Sequence, residues 1–130
     1  MIFLDSDLLV DFFRAKSDAV RTMQKLQDQT EEIVTTIFNY QELLFGVIYQ
    51  NKLQNIGQLN DFFSRIKIVD YGKIEMIQTI KAQLKLRANG ISIGDIDEMI
   101  AGICLTYNGT LVTRNIKHFE KIPHLKIKVW

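Results

Sequence analysis

The sequence predicts an α/β protein with a mainly parallel central sheet covered by helices on both faces. Short apolar segments rich in β-branched residues alternate along the chain with longer segments of helical periodicity. Apolar residues make up 47% of the composition and charged residues 24%, which is typical of a globular protein. A length of 130 residues suits one domain, so we expect residues 1–130 to fold as a single domain.

The first half of the chain is predicted to contain two strands and three helices. The elements are a strand over Met1–Leu4, a helix directly after it, a helix from Ser17 or Asp18 to about Asp28, a strand over Ile33–Thr36 and a helix from Phe38 or Asn39 to Tyr49. The β-branched content of Ile33–Thr36 favours a strand there. Asp5 therefore falls where the first strand gives way to the first helix, at the end of a strand where α/β proteins bind ligands.

The second half continues the alternation. The elements are a helix through Leu59 to Ile66, a strand over Ile66–Val69, an amphipathic helix over about Lys73–Ala88, a helix opened by Gly94 and closed by Asn108, and strands over Thr110–Thr113 and Leu125–Val129. The apolar positions of the amphipathic helix are Ile74, Ile77, Ile80, Leu84 and Leu86. The only proline lies in the loop before the last strand.

The net charge and the search for targeting signals exclude few functional classes of protein. The formal net charge is +1, but residues 114–130 are locally basic, which indicates either a solvated face or an anion-binding one. The single cysteine, Cys104, lies in an apolar segment and is expected to be buried. No segment has the ~18 apolar residues of a membrane span, and no secretory signal is present, so a cytoplasmic protein is expected.

Three acids occupy equivalent places in the predicted topology. Asp5 follows the first strand, Glu42 lies in the helix after the second strand, and Asp97 lies in the first turn of the helix that begins near Gly94. In a parallel sheet these elements start from the same edge, so the three carboxylates are expected to converge. Oxygen-only ligands favour Mg²⁺ or Mn²⁺. Each acid alone is more often a cap or a surface charge, and Asp5 or Ser6 is alternatively only the N-cap of the first helix.

Three stretches of the sequence carry a specific resemblance. FLDSDLLVDFF at the start, TTIFNYQELLFGV in the middle and ISIGDIDEMIAGICLTYNGTLVTRNIKHFEKIPHLKIKVW at the end resemble the PIN-domain family, and within it the VapC-type ribonuclease toxins of toxin–antitoxin pairs. The resemblance implies a PIN-like three-layer α/β/α fold and an endoribonuclease that hydrolyses RNA phosphodiester bonds with a metal-activated water. It also implies a homodimer and a cognate antitoxin protein as partner.

The resemblance also implies roles for particular residues. Asp5, Glu42 and Asp97 are expected to hold Mg²⁺ or Mn²⁺, Thr113 and Asn115 to orient metal-bound water or phosphate, and Arg114, Lys117 and His118 to contact the RNA backbone. Asp7 stands where asparagine is common in the family, and Asn115 and His118 stand where a fourth acid is common. Asp7 therefore either restores a fourth negative charge to the metal site or only caps the helix.

Two other functions remain open from the sequence. A PIN-like module that binds RNA or protein without cutting is one, because the fourth acid is missing. A haloacid-dehalogenase-type phosphohydrolase is the other, because an Asp-Ser-Asp segment follows the first strand. A hydrophobic groove for an antitoxin segment is expected from the surplus of aromatic residues, which includes Phe12, Phe13, Phe45, Tyr49, Phe62 and Phe63.

Overall fold

A computed structural model describes all residues, 1–130. The strands are β1 (Ile2–Leu4), β2 (Ile33–Thr36), β3 (Lys67–Val69), β4 (Thr110–Val112) and β5 (Lys126–Lys128). The helices are α1 (Ser6–Phe13), α2 (Ser17–Gln27), α3 (Ile37–Tyr49), α4 (Ile56–Phe63), α5 (Lys73–Ala88), α6 (Asp95–Thr106) and α7 (Ile116–Phe119). A 3₁₀ turn over Leu53–Asn55 precedes α4.

The five strands form one parallel sheet in the order β3-β2-β1-β4-β5, as the alternation of strands and helices predicts. β1 lies at the centre, and all three of its residues are buried. Leu4 pairs with Thr35 on one side and with Val112 on the other. Asp5 therefore leaves the sheet between the carboxyl ends of β2 and β4.

Helices cover both faces of the sheet. The alternating side chains of β1 enter two separate cores, with Phe3 in one and Ile2 and Leu4 in the other. The first core is completed by residues of α5, α6 and α7, and the second by residues of α1 to α4. The result is the predicted three-layer α/β/α architecture.

The apolar positions of α5 do not face the core in the way its sequence pattern indicates. Only Leu86 among them is buried, whereas Ile74 and Leu84 are each 67% exposed and Ile77 and Ile80 are also exposed. The buried side of α5 carries small and polar residues, among them Thr79 and Ala82, and packs closely on α6. A Cβ added at Gly102 of α6 would collide with the Thr79 side chain, so this close packing requires glycine there. The larger apolar side chains of α5 consequently face outwards.

The other differences from the sequence prediction are local. α3 begins at Ile37, α4 begins at Ile56, and the short helix α7 has no counterpart in the prediction. The N-cap of α2 is Lys16 rather than Ser17 or Asp18. Cys104 is buried as expected, and burial raises the pKa of its thiol well above the usual value. None of the helices combines the length and hydropathy that crossing a membrane requires.

Candidate active site

Asp5 lies at the centre of a hydrogen-bonded cluster at the carboxyl edge of the sheet. Its Oδ1 accepts hydrogen bonds from the backbone N–H of Ser6 and from Asn39 Nδ2, each at 2.8 Å. Its Oδ2 accepts a hydrogen bond of 2.6 Å from Thr113 Oγ1. The bond from Ser6 makes Asp5 the N-cap of α1, so the capping alternative describes one of its contacts. The strand register brings Thr113 to Asp5.

The Asp5 carboxyl is poorly solvated. Burial raises its pKa from 3.8 to about 6, and the charges of Asp7 and Asp97 add to the rise, while the hydrogen bond from Thr113 opposes it. Every buried polar side-chain atom in the structure has a hydrogen-bond partner, so the rise does not come from a missing contact. A cation beside Asp5 would favour its ionised form.

Glu42 is connected to Asp5 through two uncharged side chains. Ser6 Oγ donates a 2.5 Å hydrogen bond to Glu42 Oε2, and Asn39 Nδ2 lies 2.8 Å from Ser6 Oγ while it also donates to Asp5. Asn39 is completely buried, and its backbone N–H donates to Thr36 Oγ1 at the end of β2. Asn39 and Ser6 therefore set the distance between the two acids, a role that the sequence analysis missed.

Asp97 faces the same edge from the first turn of α6. Its Oδ2 lies 2.6 Å from His118 Nδ1 and accepts a 3.2 Å hydrogen bond from Asn115 Nδ2. Asn115 also donates its backbone N–H to Thr113 Oγ1 at 2.9 Å. Asn115 and His118 thus stand next to Asp97 as polar partners. Both were predicted for the site, and His118, which was expected to contact the RNA backbone, contacts the acid Asp97 here.

Glu98, the next residue after Asp97, is a second feature that the sequence analysis missed. It is completely buried, and Arg87 of α5 donates two hydrogen bonds of 2.8 and 2.9 Å to its two oxygens. These bonds, together with those from Gln83 and the Ile93 backbone, lower the pKa of Glu98 to about 2. The ion pair joins α5 to the first turn of α6 and so fixes the turn that carries Asp97.

Asp7, Arg114 and Lys117 are the remaining residues that the sequence predicted for the site. Both carboxylate oxygens of Asp7 bind other groups: Oδ2 accepts the Arg114 backbone N–H at 2.7 Å and Thr113 Oγ1 at 3.3 Å, and Oδ1 accepts the Trp130 indole N–H at 2.9 Å. The guanidinium of Arg114 lies on the Trp130 ring and donates to Asp18, so it is already paired within the chain. Lys117 lies exposed on α7. Of the three residues expected to contact RNA, Lys117 alone is both basic and without an ion pair.

The chemistry of the acids suits a hard divalent cation, but the side chains are not assembled around one. All three are oxygen donors, and Asp5 is a desolvated carboxylate that a cation would stabilise. No three side chains of the His, Cys, Asp or Glu types lie close enough to share an ion. Glu42 and Asp97 line one open cavity of about 400 Å³ with Phe38, Gln41, Phe45 and Ile96. Joint ligation of one ion therefore requires the Glu42 or Asp97 side chain to rotate towards Asp5.

Comparisons with known proteins place the chain in a family. The model of the PIN domain matches residues 2–125. Ribonuclease VapC2 of Rickettsia felis is 30% identical, over 98% of this chain and 96% of its own length. The tRNA(fMet)-specific endonuclease VapC of Salmonella typhimurium is 26% identical, over 98% of this chain and 96% of its own length. The chain belongs to the PIN-domain family, which confirms the resemblance and sets aside the haloacid-dehalogenase alternative.

Solved structures agree with this assignment. VapBC2 from Rickettsia felis bound to a DNA fragment from its promoter superposes with a TM-score of 0.89 at 29% identity, covering 100% of this chain and 99% of that one. DNA-bound VapBC from Salmonella typhimurium superposes with a TM-score of 0.87 at 26% identity, covering 99% of this chain and 97% of that one. The PIN-like α/β/α fold is therefore confirmed over the whole chain.

Proposed function

We propose that this protein is a Mg²⁺- or Mn²⁺-dependent endoribonuclease and the toxin of a VapBC-type toxin–antitoxin pair, acting in the cytoplasm as a single domain over residues 1–130. The observation that carries the proposal is the convergence of three acids on one edge of the sheet: Asp5 directly after β1, Glu42 in α3 and Asp97 in α6, with Asp5 desolvated. The ribonuclease relatives that match nearly the whole chain support it.

In this proposal Asp5, Glu42 and Asp97 would hold the ion. A bound Mg²⁺ or Mn²⁺ would supply an activated water molecule and would offset charge at the phosphate. Thr113 donates to Asp5 Oδ2 and so fixes the orientation of that carboxylate. Asn115 holds Asp97 and presents its side-chain amide beside the site, where it can donate to a phosphate oxygen.

RNA would approach with its backbone towards the acids. Three carboxylates repel a phosphodiester, so a bound cation would be needed to offset their charge against RNA. Lys117 on α7 offers a further positive charge near Asn115. Contacts of this kind give affinity and salt dependence but little choice of sequence.

Two surfaces of the protein fit the proposed protein partners, which are an antitoxin and a second copy of this chain. A groove of about 150 Å³ lies between α1, α3 and the 3₁₀ turn; Phe13, Leu43 and Val47 line it, and it reaches Glu42. We propose that an antitoxin segment occupies this groove and thereby covers Glu42. The exposed Ile74, Ile77, Ile80 and Leu84 of α5 form an apolar strip that suits the proposed homodimer. The neighbouring structures are VapBC complexes, which supports an antitoxin partner.

A cleavage assay with a matched pair of variants tests the enzyme. Wild type, Asp97→Asn and Asp95→Asn are incubated with several RNAs, initiator tRNA among them, in Mn²⁺, Mg²⁺ or EDTA. Asp95 is an exposed acid in the same first turn of α6, so its variant removes the same charge without changing a proposed ligand. We expect cleavage by wild type and Asp95→Asn with metal only, and none by Asp97→Asn.

The same assay distinguishes the second candidate, a PIN module that binds RNA without cutting it. The observation that favours this candidate is that Asn115 and His118, rather than a fourth acid, lie beside Asp97. Wild-type protein that shifts RNA in a gel but cleaves none of the substrates with either metal would support the binding module and contradict the nuclease.

A further inference from the structure

Asp7 lies next to the candidate site and contacts the turn that borders it, where its Oδ2 lies 3.3 Å from Thr113 Oγ1. Its Oδ2 accepts the backbone N–H of Arg114 at 2.7 Å, and its Oδ1 accepts the indole N–H of Trp130 at 2.9 Å. A carboxylate with both oxygens occupied by such donors holds protein groups rather than an ion. Its partners are the turn after β4 and Trp130, two residues beyond the end of β5.

Trp130 is itself fixed by Arg114. The guanidinium carbon lies 3.5 Å from the centroid of the indole ring, and Arg114 Nε donates to the Trp130 carbonyl at 3.0 Å. Arg114 Nη2 also donates to Asp18 of α2 at 2.5 Å. We call the contacts among Asp7, Arg114, Trp130 and Asp18 the Trp130 clasp. The clasp ties α1 and α2 to the turn at residues 113–115.

That turn carries contacts to two of the three acids. Thr113 Oγ1 donates to Asp5 Oδ2 at 2.6 Å, and Asn115 Nδ2 donates to Asp97 Oδ2 at 3.2 Å. The Arg114 backbone N–H, which Asp7 holds, lies between these two residues in sequence. A shift of the turn would therefore change the orientation of Asp5 and Asp97 together.

We propose that Asp7 and Trp130 are positioning residues for the metal site: they hold the 113–115 turn, so that Thr113 keeps Asp5 oriented and Asn115 keeps Asp97 at the sheet edge from which it can reach a shared ion. The inference rests on the proposed function, because it takes these acids as the ligands. It assigns Asp7 neither a ligand role nor that of a simple helix cap. Groups that orient metal ligands typically change metal affinity or activity about 10- to 100-fold when mutated.

Two conservative variants separate positioning from ligation. Trp130→Phe keeps an aromatic ring under Arg114, although a smaller one, and removes the indole N–H, which contacts Asp7 but none of the three acids. Asp7→Asn keeps the shape of the side chain, but only one of its two terminal atoms can accept a hydrogen bond. The variant therefore loses the bond from either the Arg114 backbone N–H or the Trp130 indole N–H. We expect each variant to raise the Mn²⁺ dissociation constant about 10-fold. We expect the double variant to be no worse than the single ones, because both break the same connection.

The measurements are Mn²⁺ binding by titration calorimetry without RNA, and amide hydrogen exchange at Arg114. Asp28→Asn is the control, since it removes an exposed charge at the end of α2 and takes part in none of the contacts of the Trp130 clasp. Weaker Mn²⁺ binding and faster Arg114 exchange in both variants support the inference. Weaker binding in Asp7→Asn with an unchanged Trp130→Phe would overturn it in favour of a direct role for Asp7, and two unchanged variants would also overturn it.

Failure of the proposed function gives a different result. Wild-type protein that neither binds Mn²⁺ nor cleaves RNA would contradict the nuclease, while exchange at Arg114 still reports whether the clasp holds the turn. Unchanged Arg114 exchange in both variants would then overturn the clasp as well.

Discussion

Asp5→Asn is predicted to stabilise the metal-free protein while it removes function. The carboxylate is buried at the sheet edge, where its charge has no cation beside it. The new amide fits the same contacts, because its oxygen can accept from Ser6 and Asn39 and its N–H group can donate to the Thr113 hydroxyl, which rotates to accept. The substitution therefore removes a desolvated charge without leaving a polar atom unpaired.

The size of the effect follows from the pKa of Asp5, which burial raises from 3.8 to about 6. Because the folded-state value lies above the unfolded one, the stability contributed by protonated Asp5 is complete below about pH 4 and is lost as the pH rises through about 6. A tenfold change in an ionisation constant corresponds to ~1.36 kcal/mol, so a rise of about two pKa units corresponds to about 3 kcal/mol at neutral pH.

Urea unfolding in EDTA measures this difference. At pH 7.5 we expect the free energy of unfolding of Asp5→Asn to exceed that of wild type by about 2 to 3 kcal/mol, and the gap to close near pH 4. Added Mn²⁺ should stabilise wild type but not the variant. Asp28→Asn serves as the control for loss of an exposed, unpaired charge. A variant that is less stable than wild type at pH 7.5, or a gap that does not change with pH, would refute the reasoning.

Two further predictions concern structural contacts. Arg87→Met leaves the buried Glu98 carboxylate without its cation, so urea unfolding at pH 7 should show a free energy of unfolding lower by about 3 kcal/mol. The control Arg65→Met removes an exposed arginine and should change that free energy little. Equal losses in both variants would contradict a stabilising role for the Arg87–Glu98 pair. Leu84→Arg places a charge in the exposed apolar strip of α5, so sedimentation velocity should show a dimer for wild type and a monomer for the variant. A wild-type protein that is monomeric at high micromolar concentration would contradict the proposed dimer.

The position of the acids could be predicted from the sequence because it depends on local patterns. Asp5 follows a short apolar strand, and Asp97 follows a glycine that opens a helix, so a parallel sheet brings them to one edge. The partners of these acids could not be predicted in the same way. Asn39 and Glu98 are polar residues whose types favour the surface, and only the assembled layers show that they are buried. For Asn39, the available signal was an amide three residues before Glu42 at the start of an apolar helix.

The orientation of α5 illustrates a second limit. Its periodicity marks a face through Ile74, Ile77 and Leu84, and a helix of a monomer would bury such a face. The structure instead buries Thr79 and Ala82 against Gly102, because small residues allow α5 and α6 to approach closely. Periodicity identifies an apolar face but not the surface that it packs on, which can belong to another molecule.

Cleavage of a single-site RNA and its 2′-deoxy counterpart tests the central claim most directly. If Asp5, Glu42 and Asp97 hold an ion that activates water, wild type should cleave both substrates in Mn²⁺, and product formed in ¹⁸O-labelled water should carry the label on the new phosphate. EDTA or Asp97→Asn should abolish both reactions. Cleavage that persists in EDTA and in Asp97→Asn but stops with the 2′-deoxy substrate would show attack by the ribose hydroxyl and would contradict the metal-dependent mechanism.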